Sequence, residues 1–168
     1  MSHEIDKYIL FHCKYGGTGE KFKFKFIDYK KNNLKLEGQF SNDMINPGPD
    51  GFVQGGQITS MLDDVTSILL IFESIGYIYP SSTNLHTVFH RPITTGKYLC
   101  EAKIISKGKN IATIKGEIYN QSGKIAATLI HNAFLISTKL SENVGALPIS
   151  ARLPELILLT VPLLCCLQ

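Results

Sequence analysis

The feature that most restricts the fold is a mid-chain segment that has the period of a helix and is apolar almost all round. Ile58, Met61, Leu62, Val65, Leu69 and Phe72 recur at three- and four-residue steps and mark one apolar face. Past Thr66 the opposite side is apolar as well, through Leu70 and Ile71. A helix with so little polar surface has to be covered on several sides, so the rest of the chain must wrap it. Gly76 and Pro80 end the segment, and a loop over 43–51, punctuated by Pro47, Gly48, Pro49 and Gly51, leads into it.

The flanking sequence supplies the wrapping. From Lys21 onward, Phe22, Phe24 and Phe26 alternate with Lys21, Lys23 and Lys25, which predicts a half-buried strand with a solvated lysine face. Asn32-Asn33 makes a turn, and 34–40 returns as a second strand. After the helix, 83–89, 97–106, 111–119 and 124–137 are rich in β-branched and aromatic residues, with turns at Gly96, 108–110 and 121–123. The last of these is apolar on both sides from Ile125 to Leu129, as expected of a strand near the centre of a sheet. Residues 1–20 carry a helix-compatible patch from Ile5 to Phe11 and a glycine loop from Gly16 to Gly19. Two strands, one long buried helix and a meander of four strands predict an α+β fold, an antiparallel β-sheet of about six strands wrapped around one central helix.

A chain of 168 residues with 44% apolar and 18% charged side chains suits one globular domain, here expected over 1–140, followed by an apolar tail over 141–168. The net charge of +3 is spread out, and no basic stripe with exposed aromatics exists, so nucleic acid is not an expected partner. Cys13, Cys100, Cys165 and Cys166 form no CxxC pair, and the N-terminus lacks the apolar core of a secretory signal, so a reducing, cytoplasmic setting is expected. His86 and His90 share a strand face without a third ligand, and no metal site is expected.

The chemistry gathers where the loop meets the helix. Gly55 and Gly56 open the helix, where backbone N–H groups have no partner within the helix and can hold a carbonyl oxygen that gains charge. Two turns on come Asp63 and Asp64. By the ~100° per residue of an α-helix, Asp63 lies about 140° from Ile58, off the main apolar stripe and toward a second apolar surface at Leu70 and Ile71, while Asp64 falls nearer the edge of the stripe. An acid facing a second buried surface points to a pocket or a subunit interface. Taken singly, the glycines read as a tight loop-to-helix connection and the acids as solvated helix residues near an N-terminus, where the helix dipole favours negative charge. Gln54 has an amide that can donate to the same carbonyl.

The run Gly51-Phe-Val-Gln54-Gly-Gly-Gln-Ile-Thr-Ser-Met-Leu-Asp63-Asp64, together with Ser82-Thr83-Asn-Leu-His-Thr-Val-Phe-His-Arg-Pro92 and Gly96, resembles hotdog-fold acyl-CoA thioesterases of the phenylacetate-degradation type, in their glutamine-glycine-glycine subgroup. The resemblance spans about 24–137 with the same order of elements. It implies a hotdog fold and hydrolysis of a thioester to free acid and coenzyme A, with no cofactor, because coenzyme A is part of the substrate. By the same resemblance Asp63 is the general base or nucleophile, and the Gly55 N–H polarises the thioester carbonyl. Gln54 stands where many relatives have histidine. Ser82 or Thr83, with Thr83 favoured, supplies a hydroxyl from the neighbouring subunit that places the attacking water.

Asn46 matches the family's asparagine but stands two residues too far from Gln54, and Gly48 holds the usual spacing. Gly56, Arg91, Lys107 and Lys109 are candidate contacts to the substrate, the last three to its phosphates. A homodimer or a dimer of dimers is implied. A non-catalytic acyl-CoA-binding or sensing module on the same fold is the alternative.

The tail from Leu153 to Leu167 is strongly apolar but broken by Pro154 and Pro162, and too short to span a bilayer. Packing onto protein, on the sheet or over a dimer surface, is favoured for it; touching membrane through acylated Cys165 and Cys166 is the other option.

Overall fold

The computed structural model describes residues 5, 6, 8–10 and 18–137. The tail and Cys13, Cys165 and Cys166 therefore lie outside the described residues. Six strands, β1 (Lys25–Lys30), β2 (Asn33–Phe40), β3 (Ile78–Phe89), β4 (Gly96–Lys107), β5 (Ile111–Tyr119) and β6 (Ile125–Ser137), form one antiparallel sheet in the order β1-β2-β4-β5-β6-β3. The central helix, Gly55–Glu73, packs on its concave face. Ten of its residues, from Ile58 to Ile71, are buried, which is what its all-round apolar character requires. Among the described residues no helix is long and apolar enough to cross a membrane.

The order of strands differs from a four-strand meander. Strands β4, β5 and β6 do follow one another, but β3 pairs with β6 at the far edge of the sheet and not with β4. The helix explains this: its 19 residues, at ~1.5 Å each, carry the chain far enough to cross the four strand spacings of ~4.8 Å between β2 and β3. As a consequence β6 is one place in from an edge, not at the sheet centre. Strand β3 also starts five residues earlier than its β-rich composition suggests and contains Pro80, which an edge strand tolerates because one row of its backbone groups needs no partner.

The lysine-phenylalanine alternation begins before any strand does. Gly19–Phe22 is a single helical turn that ends in Lys23 with φ +49°, and β1 starts only at Lys25. Phe22 and Phe24 are nevertheless buried, because the left-handed Lys23 redirects the chain so that both rings reach the same core, 5.7 Å apart. The turn is thus set by packing, and alternation alone reproduced its burial without its backbone.

Two glycines let the sheet approach the helix. A Cβ on Gly38 would lie 2.8 Å from Met61 Sδ, and one on Gly116 would lie 3.1 Å from both Leu62 Cδ2 and Thr66 Cγ2. In β2 the burial alternates without a fault, with Leu34, Leu36, Gly38 and Phe40 inward. Cys100 lies in the same core with its Sγ 3.5 Å from Met61 Sδ, and burial pushes its thiol up to about 12, so it is held as an inert thiol.

Candidate active site

The loop before the helix is closed by backbone bonds. Ile45 and Val53 form an antiparallel bridge, Asn46 N–H donates to Phe52 O at 2.8 Å, and Gln54 N–H donates to Met44 O at 2.9 Å. Gln54 caps the helix in an extended conformation without a side-chain bond, and its carbonyl accepts Gln57 N–H at 2.9 Å and Ile58 N–H at 3.2 Å. The N–H groups of Gly55 and Gly56 precede that ladder and point out of the helix end. Asn46, Gln54 and Gly56 are exposed around them.

A cleft of about 330 Å³ opens beside Gly55, between Val53, Ile58, Phe89, Arg91 and Ile93. Phe89 lies over the helix end so closely that a Cβ on Gly55 would come within 3.0 Å of its Cζ. Arg91 turns its guanidinium to Ile125 O and lines the cleft. Lys107 and Lys109 are exposed at the opposite end of the sheet, next to the strand residues that pair with Ser81 and Ser82. The structure therefore brings Arg91 to Gly55 and does not bring either lysine to Arg91 in one chain.

Asp63 is half-buried in mid-helix and faces the sheet. Its Oδ1 accepts the Ser82 hydroxyl at 2.9 Å, from β3 of the same chain. Thr83 turns away, donating to Asn132 O at 2.9 Å. The reason is a β-bulge: Ser82 pairs with Ala133 and Asn84 with Asn132, which leaves Thr83 as the extra residue and breaks the alternation there. Asp64 lies on another side of the helix, where the Thr18 hydroxyl bonds it. Burial pushes its carboxyl up to about 7, opposed by the Thr18 bond and reinforced by the charge of Asp63.

A further side chain belongs to this cluster. His131 of β6, fully buried, has Nδ1 2.8 Å from Thr66 Oγ1 and Nε2 3.6 Å from Asp63 Oδ1. Burial holds its imidazole below the ordinary histidine value, with the Asp63 charge acting the other way. A signal for it is present in the sequence: Ala127, Leu129, Ala133 and Leu135 fill the inward positions of β6, and His131 is the one polar residue in that row. Among the described residues no group of three His, Cys, Asp or Glu side chains is placed to hold a metal ion.

A six-stranded antiparallel sheet with one long helix packed against it is the hotdog fold. Residues 50–127 match the family model described as the thioesterase superfamily. A candidate esterase of Saccharolobus solfataricus is 26% identical over 125 residues, covering 71% of this chain and 87% of that protein. Among solved structures, a candidate thioesterase of Ralstonia eutropha related to phenylacetic acid degradation superposes with a TM-score of 0.68 at 24% identity, covering 78% of this chain and 98% of that one. A Streptococcus mutans protein bound to acetyl-CoA superposes with a TM-score of 0.60 at 14% identity, covering 68% and 89%.

Proposed function

We propose that this chain is an acyl-CoA thioesterase of the phenylacetate-degradation type, working in a reducing, cytoplasmic setting. The observation that carries the reading is the Asp63 carboxylate, held by Ser82 on a helix whose first N–H groups are free. The family match and the acetyl-CoA bound to the Streptococcus mutans relative in fold support it. In the reaction the thioester oxygen rests on the Gly55 N–H, which stabilises the charge that develops when the carbonyl carbon becomes tetrahedral. As general base, Asp63 takes a proton from water while the water oxygen bonds to that carbon, and hands it to sulfur as the carbon–sulfur bond breaks, so coenzyme A leaves as the thiol. As nucleophile, Asp63 bonds to the carbon, coenzyme A leaves as a thiolate that takes a proton from solvent, and water then hydrolyses the mixed anhydride to the free acid and restores the carboxylate. Arg91, beside Gly55, is the cation available to the substrate's phosphates.

Gly55 and Asp63 do not reach one carbonyl within a single chain. Eight residues apart on one helix, they are separated by ~12 Å along its axis. A second copy resolves the distance, with Gly55 of one protomer and Asp63 of its partner completing each site. Strand β3, at the sheet edge with Val88 and Phe89 exposed, is the element available for that pairing. A homodimer, or a pair of dimers, follows.

The test is thiol release by the purified full chain over short, long and aromatic acyl-CoAs, beside its mass by light scattering. Turnover of at least one class, abolished in Asp63→Asn, with a mass of two or four chains, is expected. Acyl-CoA binding without thiol release would support a sensing module and overturn the enzyme reading, and a monomer with full turnover would overturn the shared site.

A further inference from the structure

The geometry of His131 carries an inference that rests on the thioesterase reading of Asp63 and deepens it. The Thr66 hydroxyl has three neighbours, Leu62 O at 2.8 Å, Asp63 O at 2.9 Å and His131 Nδ1 at 2.8 Å, and one proton to give. Both carbonyls lie inside the helix, where the backbone N–H four residues on serves them. The hydroxyl is therefore free to donate to Nδ1, which leaves the single proton of a neutral imidazole on Nε2. That atom is buried, has no hydrogen-bond partner, and faces Asp63 Oδ1 at 3.6 Å. The opposite tautomer would turn the Nε2 lone pair onto the carboxylate across 3.6 Å, a gap too short for a bridging water, and is disfavoured by charge.

We propose that His131 is a positioning residue for Asp63: anchored at Nδ1 by Thr66, it turns Nε2–H onto Oδ1, the oxygen that Ser82 already holds. Two donors converging on one oxygen fix the plane of the carboxylate and leave Oδ2 for the water or the acyl carbon. The present separation exceeds hydrogen-bond range by about half an ångström, and contacts of this kind tighten once substrate is seated. Of the other charged groups on the helix, Asp64 is nearest in sequence, and its carboxyl is engaged by Thr18. From the sheet, the strand neighbours of His131 are the apolar Leu85 and Ile114.

Two measurements on the full chain test this. Long-range proton–nitrogen NMR on the wild type at pH 8 reads the tautomer directly and does not depend on turnover. The Nε2–H form is expected, giving way to a mixture in Asp63→Asn, and an Nδ1–H form in the wild type would overturn the proposal. In thiol release, His131→Gln, whose amide N–H reaches the same place, is expected to keep kcat within about threefold, while His131→Leu loses about tenfold in kcat with KM unchanged, less than the 10²–10⁴ of removing the base itself. A folded His131→Leu with wild-type kcat, beside an inactive Asp63→Asn, overturns the role of His131 alone. An active Asp63→Asn overturns instead the reading of Asp63 on which the role rests.

Discussion

Ser82 Oγ donates to Asp63 Oδ1 across 2.9 Å, tying the edge strand β3 to the middle of the central helix. Because Thr83 spends its hydroxyl on Asn132 O, the two adjacent residues are expected to behave differently. Asp63→Asn should lose about 10²–10⁴ in kcat, Ser82→Ala about tenfold, and Thr83→Ala less than about twofold. Thiol-release kinetics on the three variants, with melting temperatures as a control for folding, check the ranking. An equal loss in Ser82→Ala and Thr83→Ala would contradict it.

Gly55 is hemmed in by Phe89, and the contact would be with the end of a half-exposed side chain. Gly55→Ala should therefore fold with a stability change of about 1 kcal/mol or less, because the ring can move. It should lower kcat/KM about tenfold, since the displaced ring moves into the cleft beside the oxyanion position. Shortening the ring in Gly55→Ala/Phe89→Leu should recover most of that loss. The double variant is the informative measurement: no recovery would mean that the methyl group, and not Phe89, blocks the site.

Asp64 predicts a dependence of stability on pH. Its folded value of about 7 lies above that of an unfolded aspartate, so the folded chain holds the proton more tightly, and stability falls as pH rises from about 4 to 7. Asp64→Asn keeps an acceptor for Thr18 and removes the buried charge. It should stabilise the protein by on the order of 2 kcal/mol at pH 8 and by almost nothing at pH 4. Urea unfolding of both chains at the two pH values gives the difference; a gain independent of pH would refute the assignment.

His131 acts in the opposite sense. Burial keeps its imidazole neutral in the folded chain, so the unfolded chain takes up the proton first and stability is lost as pH falls below about 6.5. In His131→Gln this acid-side loss should disappear, measured as a melting temperature that improves relative to the wild type's as pH falls from 7 to 5, the contribution of Asp64 being common to both chains.

The close approach of sheet and helix gives a contrast between two glycines. Gly116→Ala would press a methyl group against Leu62 and Thr66 and should cost about 1–3 kcal/mol. Gly56→Ala meets nothing within 4 Å in the first turn of the helix and should be neutral, or stabilising by up to about 1 kcal/mol. Chemical denaturation of the pair checks both.

What the sequence determined by itself was the presence of the buried helix, its start at Gly55, the β-rich segments and the candidate acids, since periodicity and glycine placement are local properties. The strand expected over 34–40 is present, and Leu34, Leu36 and Phe40 share its inward face because β2 has no irregularity. Tertiary structure decided the rest. The helical turn at Gly19–Phe22 and the left-handed Lys23 bury the same phenylalanines that a strand would, so burial pattern could not tell the two apart. The bulge at Thr83 shifts the side-chain alternation by one, and only the pairing with Asn132 and Ala133 decides that Ser82 meets Asp63. The placement of β3 beside β6 depends on how far the helix carries the chain, and it brings Ser82 and His131 to one carboxylate from strands that are far apart in sequence. Such convergence has no local signature, because each residue satisfies its own strand's pattern, and only the packing of helix on sheet places them within reach of one another.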